Sequence, residues 1–337
     1  MSQTAVPETL GHLSDAPQGP DPNGKRAKAI TGKSPMRIAL NRLARDKIAM
    51  VCLFVVIFFA LVAIFAGPIC AFFGVSTETV LPSQYVDLDG IPKEGPPNNG
   101  YDPDHPFGIA PQTAVDNLAY WVYGARNSLQ IAVTATLIAT LVGVTLGLIS
   151  GFAGGMVDRS ISFVVDFFLT IPFLLAALSV APIINERYAG SDSYESIQVF
   201  VLILVLSLFG WMGVSRLIRG EVLSLREREF IMAARVLGMP TRRVLIKELL
   251  PNLAAPIVVS TSLMLPAFIA IEAGLAYLGI GVTSRPSWGR ITEHATKFFD
   301  SYPLYLFEPL IGIVALVLAL NLLGDAIRDA MDPKTRR

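Results

Sequence analysis

The sequence predicts an all-α, polytopic membrane protein with six transmembrane helices and with both the N- and C-termini in the cytoplasm. Three observations carry this prediction. Hydrophobic residues make up 53% of the 337 residues and charged residues 16%, and the mean hydropathy of +0.54 is too high for a water-soluble domain of this length. Six apolar runs are long enough to cross a bilayer. The basic residues are concentrated in blocks between these runs.

Each of the six apolar runs contains about 20 residues, the length that crosses roughly 30 Å of hydrocarbon. The third run contains Asp166 and Pro172, but a carboxylate that faces protein and a proline kink are both tolerated in helical bundles. The predicted spans are 48–70, 128–150, 161–183, 199–218, 256–280 and 306–326.

The distribution of lysine and arginine predicts the orientation. Eight of these residues lie within 25–47 and eight more within 216–247, whereas the loop 71–123 contains one, Lys93. Because cytoplasmic segments carry an excess of Lys and Arg, both basic blocks are expected in the cytoplasm. Alternation of six spans from a cytoplasmic N-terminus gives the same result, which supports counting the third run as a span.

Composition divides the chain into three parts. Residues 1–35 are rich in Pro, Gly and polar residues without an apolar period, which is typical of a disordered tail, here cytoplasmic. Residues 36–127 comprise the first transmembrane helix and an outer, turn-rich loop. Residues 128–333 form a core domain with a cytoplasmic loop at 220–255. The outer loop, 71–123, is either a compact segment on the outer rim without a binding role or a docking surface for a partner outside the membrane.

No motif for catalysis or for a bound cofactor is visible in the sequence. Gly24 and Lys25 resemble part of a phosphate-binding loop, but Arg26 stands where Ser or Thr must hold magnesium. Cys52 and Cys70 would lie about 27 Å apart on one helix and cannot pair, and the histidines are too scattered for a metal site. We therefore expect a chain that is not an enzyme, with no metal, no cofactor of its own and no nucleic-acid partner.

Residues 229–252 are the most informative cytoplasmic segment. Apolar residues recur there at i, i+3, i+4 and i+7, which predicts a short amphipathic helix. Gly238 suits the left-handed residue that ends a helix, Pro240 suits the first turn of the next, and Pro251-Asn252 marks the return to the membrane. Such a helix can also lie passively on lipid headgroups. The residues of its predicted apolar face are Phe230, Ala233, Ala234 and Leu237.

The order of residues in this segment resembles the Glu-Ala-Ala loop of permeases in ATP-binding-cassette importers. Ala233-Ala234 is followed after three residues by Gly238, after seven more by Ile246, and shortly by Leu250-Pro251-Asn252. Other stretches are similar to the dipeptide, oligopeptide and nickel permeases, and all the matches together cover most of residues 36–333. These stretches are 123–129, 272–281 with 286–289, and 321–325 with Arg328, Asp329, Asp332 and Pro333.

The resemblance implies a type I ABC importer permease fold and a subunit that translocates a solute across the bacterial cytoplasmic membrane. Peptides are the expected substrate, with nickel, glycosides and other solutes as alternatives, because similar permeases carry them. It also implies a homologous second permease, two ATPase subunits that bind ATP and magnesium, and an extracytoplasmic solute-binding protein around a core embedded in the lipid bilayer. In that family the loop is a coupling helix that docks into a groove on the ATPase; a passive anchor is the alternative. The residues implied to couple are Phe230, Ala233, Ala234, Arg235, Leu237, Gly238, Pro251 and Asn252.

Asp166 and Glu272 are carboxylates within apolar runs. Either would be costly facing lipid, so both are expected to point into the bundle or towards a sister subunit. Their role is to tie helices together through hydrogen bonds or to line the substrate path. Two rival functions are an ion-driven transporter, for which broken helices in inverted repeats would be expected, and a membrane scaffold that recruits cytoplasmic proteins through the basic loop.

Overall fold

The computed structural model describes four stretches of the chain, 35–78, 85–93, 102–188 and 190–331. Positions 1–34 of the predicted tail, positions 79–84 and 94–101 of the predicted outer loop, and the motif residues Asp332 and Pro333 lie outside them. Within the described stretches the chain is predominantly helical, in agreement with the all-α class. The β-type pairing there consists of two isolated bridges, Val86–Pro92 and Ile109–Asp116.

Thirteen α-helices follow one another in the described residues, and a π-helical segment, Val244–Leu249, precedes the tenth. They are α1 (Pro35–Leu43), α2 (Lys47–Ile64), α3 (Ala66–Phe73), α4 (Asn117–Ala153), α5 (Gly155–Thr170), α6 (Phe173–Tyr188), α7 (Tyr194–Leu225), α8 (Glu229–Val236), α9 (Thr241–Arg243), α10 (Leu250–Asn252), α11 (Ala254–Tyr277), α12 (Trp288–Thr296) and α13 (Pro303–Met331). Five of them, α2, α4, α7, α11 and α13, are long and apolar enough to cross a membrane.

The third predicted span, 161–183, is not one continuous helix. α5 and α6 meet at a bend of 75° and form a sixth span when the bent pair is counted as one. Pro172 explains the break, because its ring disfavours helical geometry at the residue before it, and Ile171 is extended with φ −83° and ψ 119°. The first predicted span, 48–70, is also divided, at Phe65, into α2 and α3. The prediction of six spans therefore holds with the third span broken.

The two ends of the described chain lie on the same side of the bundle. Leu43 at the end of α1 and Ile327 near the end of α13 pack in one apolar cluster with Cys52 and Leu323. The location of both ends on one side is what an even number of spans requires. Between α1 and the first span, the side chain of Asp46 caps α2. It accepts hydrogen bonds from the backbone N–H groups of the two residues after Lys47, at 2.9 and 3.2 Å.

The two longest helices, α4 and α7, pack closely through a stripe of glycines. Gly143, Gly147 and Gly151 recur every four residues on one face of α4. A Cβ atom at Gly147 would lie 2.7 Å from the carbonyl oxygen of Ser215 and 2.9 Å from the Cβ of Ile218, and the other two glycines meet α7 as closely. Small residues at this spacing let helix backbones approach within a membrane. The pair forms the centre of the bundle.

α4 also reaches into the outer loop, because it begins at Asn117. Asp116 caps it by accepting a hydrogen bond from the N–H of Ala119 at 2.8 Å, and the other carboxylate oxygen pairs with Nδ1 of His105 at 2.7 Å. The helix is continuous across positions 127 and 128. The predicted division between 36–127 and 128–333 thus falls inside a helix rather than at a linker.

Aromatic side chains hold the outer ends of four helices together. Trp288 of α12 is fully buried and donates from Nε1 to the carbonyl oxygen of Trp121 in α4 at 2.9 Å. Trp121 in turn donates to the carbonyl oxygen of Glu308 in α13 at 2.9 Å. Phe59 of α2 packs edge-on against Trp288, with ring centroids 5.5 Å apart. These contacts fix α2, α4, α12 and α13 to one another on the outer side.

Candidate coupling surface and intramembrane charges

α8 places one face against the protein and leaves the other uncovered. Ile231 and Ala234 are buried among the cytoplasmic ends of the long helices. Phe230, Ala233 and Leu237 are exposed, Leu237 to 83%. The predicted apolar face is therefore split: three of its four residues are open to a partner, whereas Ala234 supports the helix from within. Ile231, which the spacing did not single out, is the main anchor.

Gly238 ends α8 in the left-handed conformation that the sequence predicts, with φ +72°. Its N–H donates to the carbonyl of Arg235 and the N–H of Met239 donates to the carbonyl of Ala234, each at 3.0 Å. This pair of bonds is the Schellman motif, which satisfies carbonyls at a helix end. The turn leaves Leu237 and Gly238 exposed at the tip of the segment.

The second half of the segment is anchored in the same cluster as α8. Pro240 stands at the N-cap of α9, and the π-helical segment leads from there to α10. Two apolar side chains of this half are fully buried, so the chain from 229 to 252 is a packed unit rather than a loose loop; we call these residues the coupling unit. Its buried partners on α7 are Val214, Ile218 and Val222, and its own anchors are Ile231, Ala234, Val244 and Leu249, with Leu253 directly after it.

Pro251 and Asn252 lie just before the membrane-spanning helix α11, and both are exposed. They form part of α10, and Leu253, with φ −92° and ψ 0°, separates it from α11. The side-chain amide of Asn252 donates to the carbonyl oxygen of Glu248 at 2.6 Å. Asn252 therefore stabilises the end of the π-helical segment, where Pro251 has no N–H to donate.

Arginines fasten the coupling unit to the end of α4. The guanidinium of Arg235 lies over the ring of Phe152, 4.5 Å from its centroid, a favourable cation–π arrangement. Arg226, just before the unit, donates to the carbonyl oxygen of Gly151 at 3.1 Å. The structure thus places Arg235 in a contact within the chain, next to the exposed tip.

A bidentate ion pair joins the first turn of α5 to α7. Arg219 donates from Nε and from a terminal nitrogen to the two carboxylate oxygens of Asp158, at 2.6 and 2.7 Å, and the hydroxyl of Ser150 donates to the same carboxylate. Asp158 is only 17% exposed. We did not predict this pair; the available signal was an acidic residue beside one apolar run and a basic residue beside another.

Asp166 also pairs with an arginine, Arg216, two turns farther along α5. Here both side chains are open, with 62% of Asp166 and 57% of Arg216 exposed. The other predicted carboxylate, Glu272, is 0% exposed. The structure therefore separates two residues that the sequence treats alike: Asp166 is tied to a neighbouring helix at the surface, and Glu272 is enclosed.

Glu272 lies inside the bundle beside α12. Neither of its carboxylate oxygens makes a hydrogen bond to a described residue, and neither does the buried hydroxyl of Ser128. Ser128 and Ser287 are its polar neighbours. Gly289 in the first turn of α12 touches the backbone of Ala273 directly, with no room for a side chain. Glu272 thus faces the beginning of a helix, where the backbone dipole favours an acidic group.

The loop between α11 and α12 is clasped by the start of α7 on the outer side. Gln198 donates to the hydroxyl of Thr283 at 2.9 Å and accepts hydrogen bonds from the N–H of Thr283 and the hydroxyl of Ser284, each at 3.1 Å. Arg285 and Glu195 form an ion pair beside it. No group of three or more His, Cys, Asp or Glu side chains in the described stretches is arranged to hold a metal ion.

These features define a class of protein: an integral membrane bundle of five helical spans and one broken span, with a packed cytoplasmic unit that presents apolar side chains. The chain belongs to the family of binding-protein-dependent transport system inner membrane components, whose sequence model matches residues 143–337. Residues 34–86 match the N-terminal transmembrane domain of oligopeptide transport permease C. The chain is accordingly a multi-pass protein of the inner membrane, as its sequence predicts.

Several relatives of this chain are named as peptide permeases and match it over nearly their whole length. The dipeptide permease DppC of Alkalihalophilus pseudofirmus is 33% identical over 96% of this chain and 97% of its own length. The oligopeptide permeases OppC of Bacillus subtilis and of Escherichia coli K12 are 33% and 31% identical, over 94% and 91% of this chain and 95% and 94% of their own lengths. A chain of the inward-facing MetNI methionine ABC transporter, 20% identical, superposes with a TM-score of 0.50 over 63% of this chain and 96% of its own length. The predicted importer-permease fold is confirmed.

Proposed function

We propose that this chain is the transmembrane permease subunit of an ATP-binding-cassette importer that translocates di- and oligopeptides across the bacterial cytoplasmic membrane. The observation that carries the proposal is the coupling unit, which presents exposed apolar side chains on a packed base. The relatives that match nearly the whole chain are named dipeptide and oligopeptide permeases, and they supply the substrate class.

The coupling unit transmits force to the spans through packed side chains. Ile231, Val244 and Leu249 are fully buried against α7, and α7 is held to α4 by the glycine stripe. A partner that pushed or pulled on Leu237 would therefore move the two longest helices together. Rigid-body movement of this kind is a standard way to alternate between two states of a protein.

The proposal assigns ATP hydrolysis to other chains. Two separate ATPase subunits bind ATP and magnesium and contact Phe230, Ala233, Leu237 and Gly238, while Ala234 supports these residues from below. A homologous second permease subunit completes the transport path, and an extracytoplasmic solute-binding protein delivers the substrate to the outer face. This chain supplies neither an ATPase site nor a nucleic-acid site.

The first test replaces an exposed apolar residue of the coupling unit by a charged one. Leu237→Asp is expected to remove the ATPase subunits from the complex that co-purifies with the tagged chain in mild detergent, because it places a charge in an apolar contact. Leu88→Asp is the matched control, since Leu88 is fully exposed on the outer loop. Mass spectrometry of the purified complexes compares the two. Retention of the ATPase subunits by the Leu237→Asp variant would overturn this assignment of the docking surface.

The second test distinguishes a lever from a passive anchor. Gly238→Pro is expected to abolish uptake of labelled trialanine while leaving the chain in the membrane, because proline fixes φ near −65° and cannot adopt +72°. Gly238→Asn is the control, since asparagine tolerates the left-handed conformation, and it should retain uptake. Normal uptake by the proline variant would contradict the lever.

A further inference from the structure

The bend between α5 and α6 leaves a cavity of about 440 Å³ at the surface of the chain. The cavity lies between the broken span, α7 and α11. Its walls are mainly apolar and include four phenylalanines, of which Phe173 and Phe209 pack edge-on with ring centroids 5.4 Å apart. Its main lining residues are Phe168, Leu169, Pro172, Phe173, Phe209 and Phe268.

The exposed Asp166–Arg216 pair lies one helical turn from this cavity, on its cytoplasmic side. Leu169 and Met212 both line it. Asp166 precedes Leu169 by three residues on α5, and Arg216 follows Met212 by four on α7, so each charged residue lies one helical turn nearer the cytoplasm. The apolar chamber thus has a charged edge on one side.

This charged edge is incompatible with a surface that faces lipid. Asp166 lies about 17 Å along α5 from its cytoplasmic start, and Arg216 about 14 Å from the cytoplasmic end of α7, at about 1.5 Å per residue. More than half of each side chain is uncovered by this chain. Charged groups within a membrane bundle face protein or water rather than lipid. The cavity beside them therefore faces another protein chain or an aqueous space rather than lipid.

We propose that the cavity at the α5–α6 bend is a substrate-contact site of the transport path, which holds an apolar side chain of the passing peptide. The aromatic walls pack against that side chain, and Asp166 and Arg216 face the charged ends or the backbone of the peptide. The volume lies within the range of ordinary ligand pockets. The nature of the ligand rests on the proposed peptide permease; the aqueous exposure of the cavity does not.

Thiol labelling tests the aqueous exposure in native membrane vesicles. The two buried native cysteines, Cys52 and Cys70, are replaced by alanine, and a single cysteine is introduced by Asp166→Cys or Leu169→Cys. The control is Phe54→Cys on α2, where Phe54 is 72% exposed. A charged methanethiosulfonate reagent should modify the cysteines at 166 and 169 in intact vesicles but not the one at 54, because only a thiol that meets water ionises to the reactive thiolate. After unfolding in SDS, N-ethylmaleimide should modify all three.

One outcome of the labelling would overturn the proposal. If the charged reagent spares positions 166 and 169 in intact vesicles and N-ethylmaleimide reacts there only after unfolding in SDS, lipid or another subunit covers the cavity. These results do not depend on transport. An importer whose substrate is not a peptide would still show the expected labelling, so the site and the proposed function fail independently.

A cavity-filling variant tests the ligand class. Leu169→Trp is expected to lower the uptake of trileucine about tenfold more than that of triglycine, because a hydrophobic subsite discriminates apolar side chains by roughly this factor. Equal loss for both peptides would reject a side-chain site. Uptake of neither peptide by the native complex would instead reject the proposed peptide function, and the labelling would still decide whether the cavity lines the path.

Discussion

The helix pairs α4–α7 and α5–α6 belong to one bundle but are covered by their own chain to different degrees. α4 and α7 meet along the glycine stripe and bury polar side chains such as Ser207 and Ser215. Among the described side chains of α5 and α6, Val165 and Ala177 alone are buried. The first pair is a frame that this chain completes by itself. The second pair is a surface that a further subunit, lipid or substrate must complete.

The two ion pairs along α5 show the same difference. Asp158, at the frame, receives two hydrogen bonds from Arg219 and one from Ser150. Asp166, two turns later, pairs with Arg216 where both side chains are largely open. Of the two Asp–Arg ion pairs, the one near the frame thus stabilises the fold, whereas the exposed one farther along α5 is open to a partner or a substrate.

The largest expected effect comes from breaking the frame. Gly147→Leu should destabilise the folded chain by about 3 kcal/mol, because overpacking forces closely packed helices apart. Even the first added carbon atom would lie 2.7 Å from the carbonyl oxygen of Ser215. SDS-unfolding titrations of the purified protein in mixed micelles measure the change in the free energy of unfolding.

Gly213→Leu provides the control for this substitution on the partner helix. Gly213 lies in α7, but a Cβ atom added there would meet no atom within 4 Å. Its replacement should leave the unfolding free energy nearly unchanged. Equal destabilisation by the two substitutions would show that glycine is needed for reasons other than close packing.

The two arginines give a smaller and more selective effect. Arg219→Ala should cost about 2 kcal/mol of unfolding free energy, because it leaves the largely buried Asp158 without its charged partner. Arg216→Ala should cost less than about 1 kcal/mol, as is typical of exposed pairs, yet reduce uptake of a labelled peptide. The same SDS titration, together with uptake in vesicles, separates the two. A greater stability loss at Arg216 would contradict the division into frame and working surface.

Much of the fold follows from the sequence because the bilayer imposes simple rules. Length and hydropathy locate the spans, and the charge rule agrees with the observed common side of the two ends of the described chain. Gly238 was predictable because few residues adopt φ +72°. The pattern Gly143-x3-Gly147-x3-Gly151 was also visible, and it is a known signal of close helix packing.

Other features depend on tertiary contacts and were not accessible from one sequence. The apolar period of α8 could not show that Ile231 and Ala234 face inward while Phe230 faces outward, because an amphipathic helix in a membrane protein has two possible apolar neighbours. The pairing of Asp158 with Arg219 depends on how α5 crosses α7. The break at Phe65 is different: Gly67 and Pro68 follow it at once, and Pro68 has no N–H to donate to the carbonyl oxygen of Ile64, so the sequence did carry a signal for this break.

Replacement of Glu272 has the smallest expected effect, and it is the sharpest test of whether the frame is complete without a further subunit. Its carboxylate makes no hydrogen bond to the described chain, so Glu272→Gln, which keeps the shape and removes the acid, should change the unfolding free energy by less than about 1 kcal/mol. Ser128→Ala, beside it, should be as mild. A loss of more than about 2 kcal/mol for the glutamine variant would require a partner for the acid, such as a bound water or a neighbouring subunit. The frame would then need completion from outside, as the broken span does.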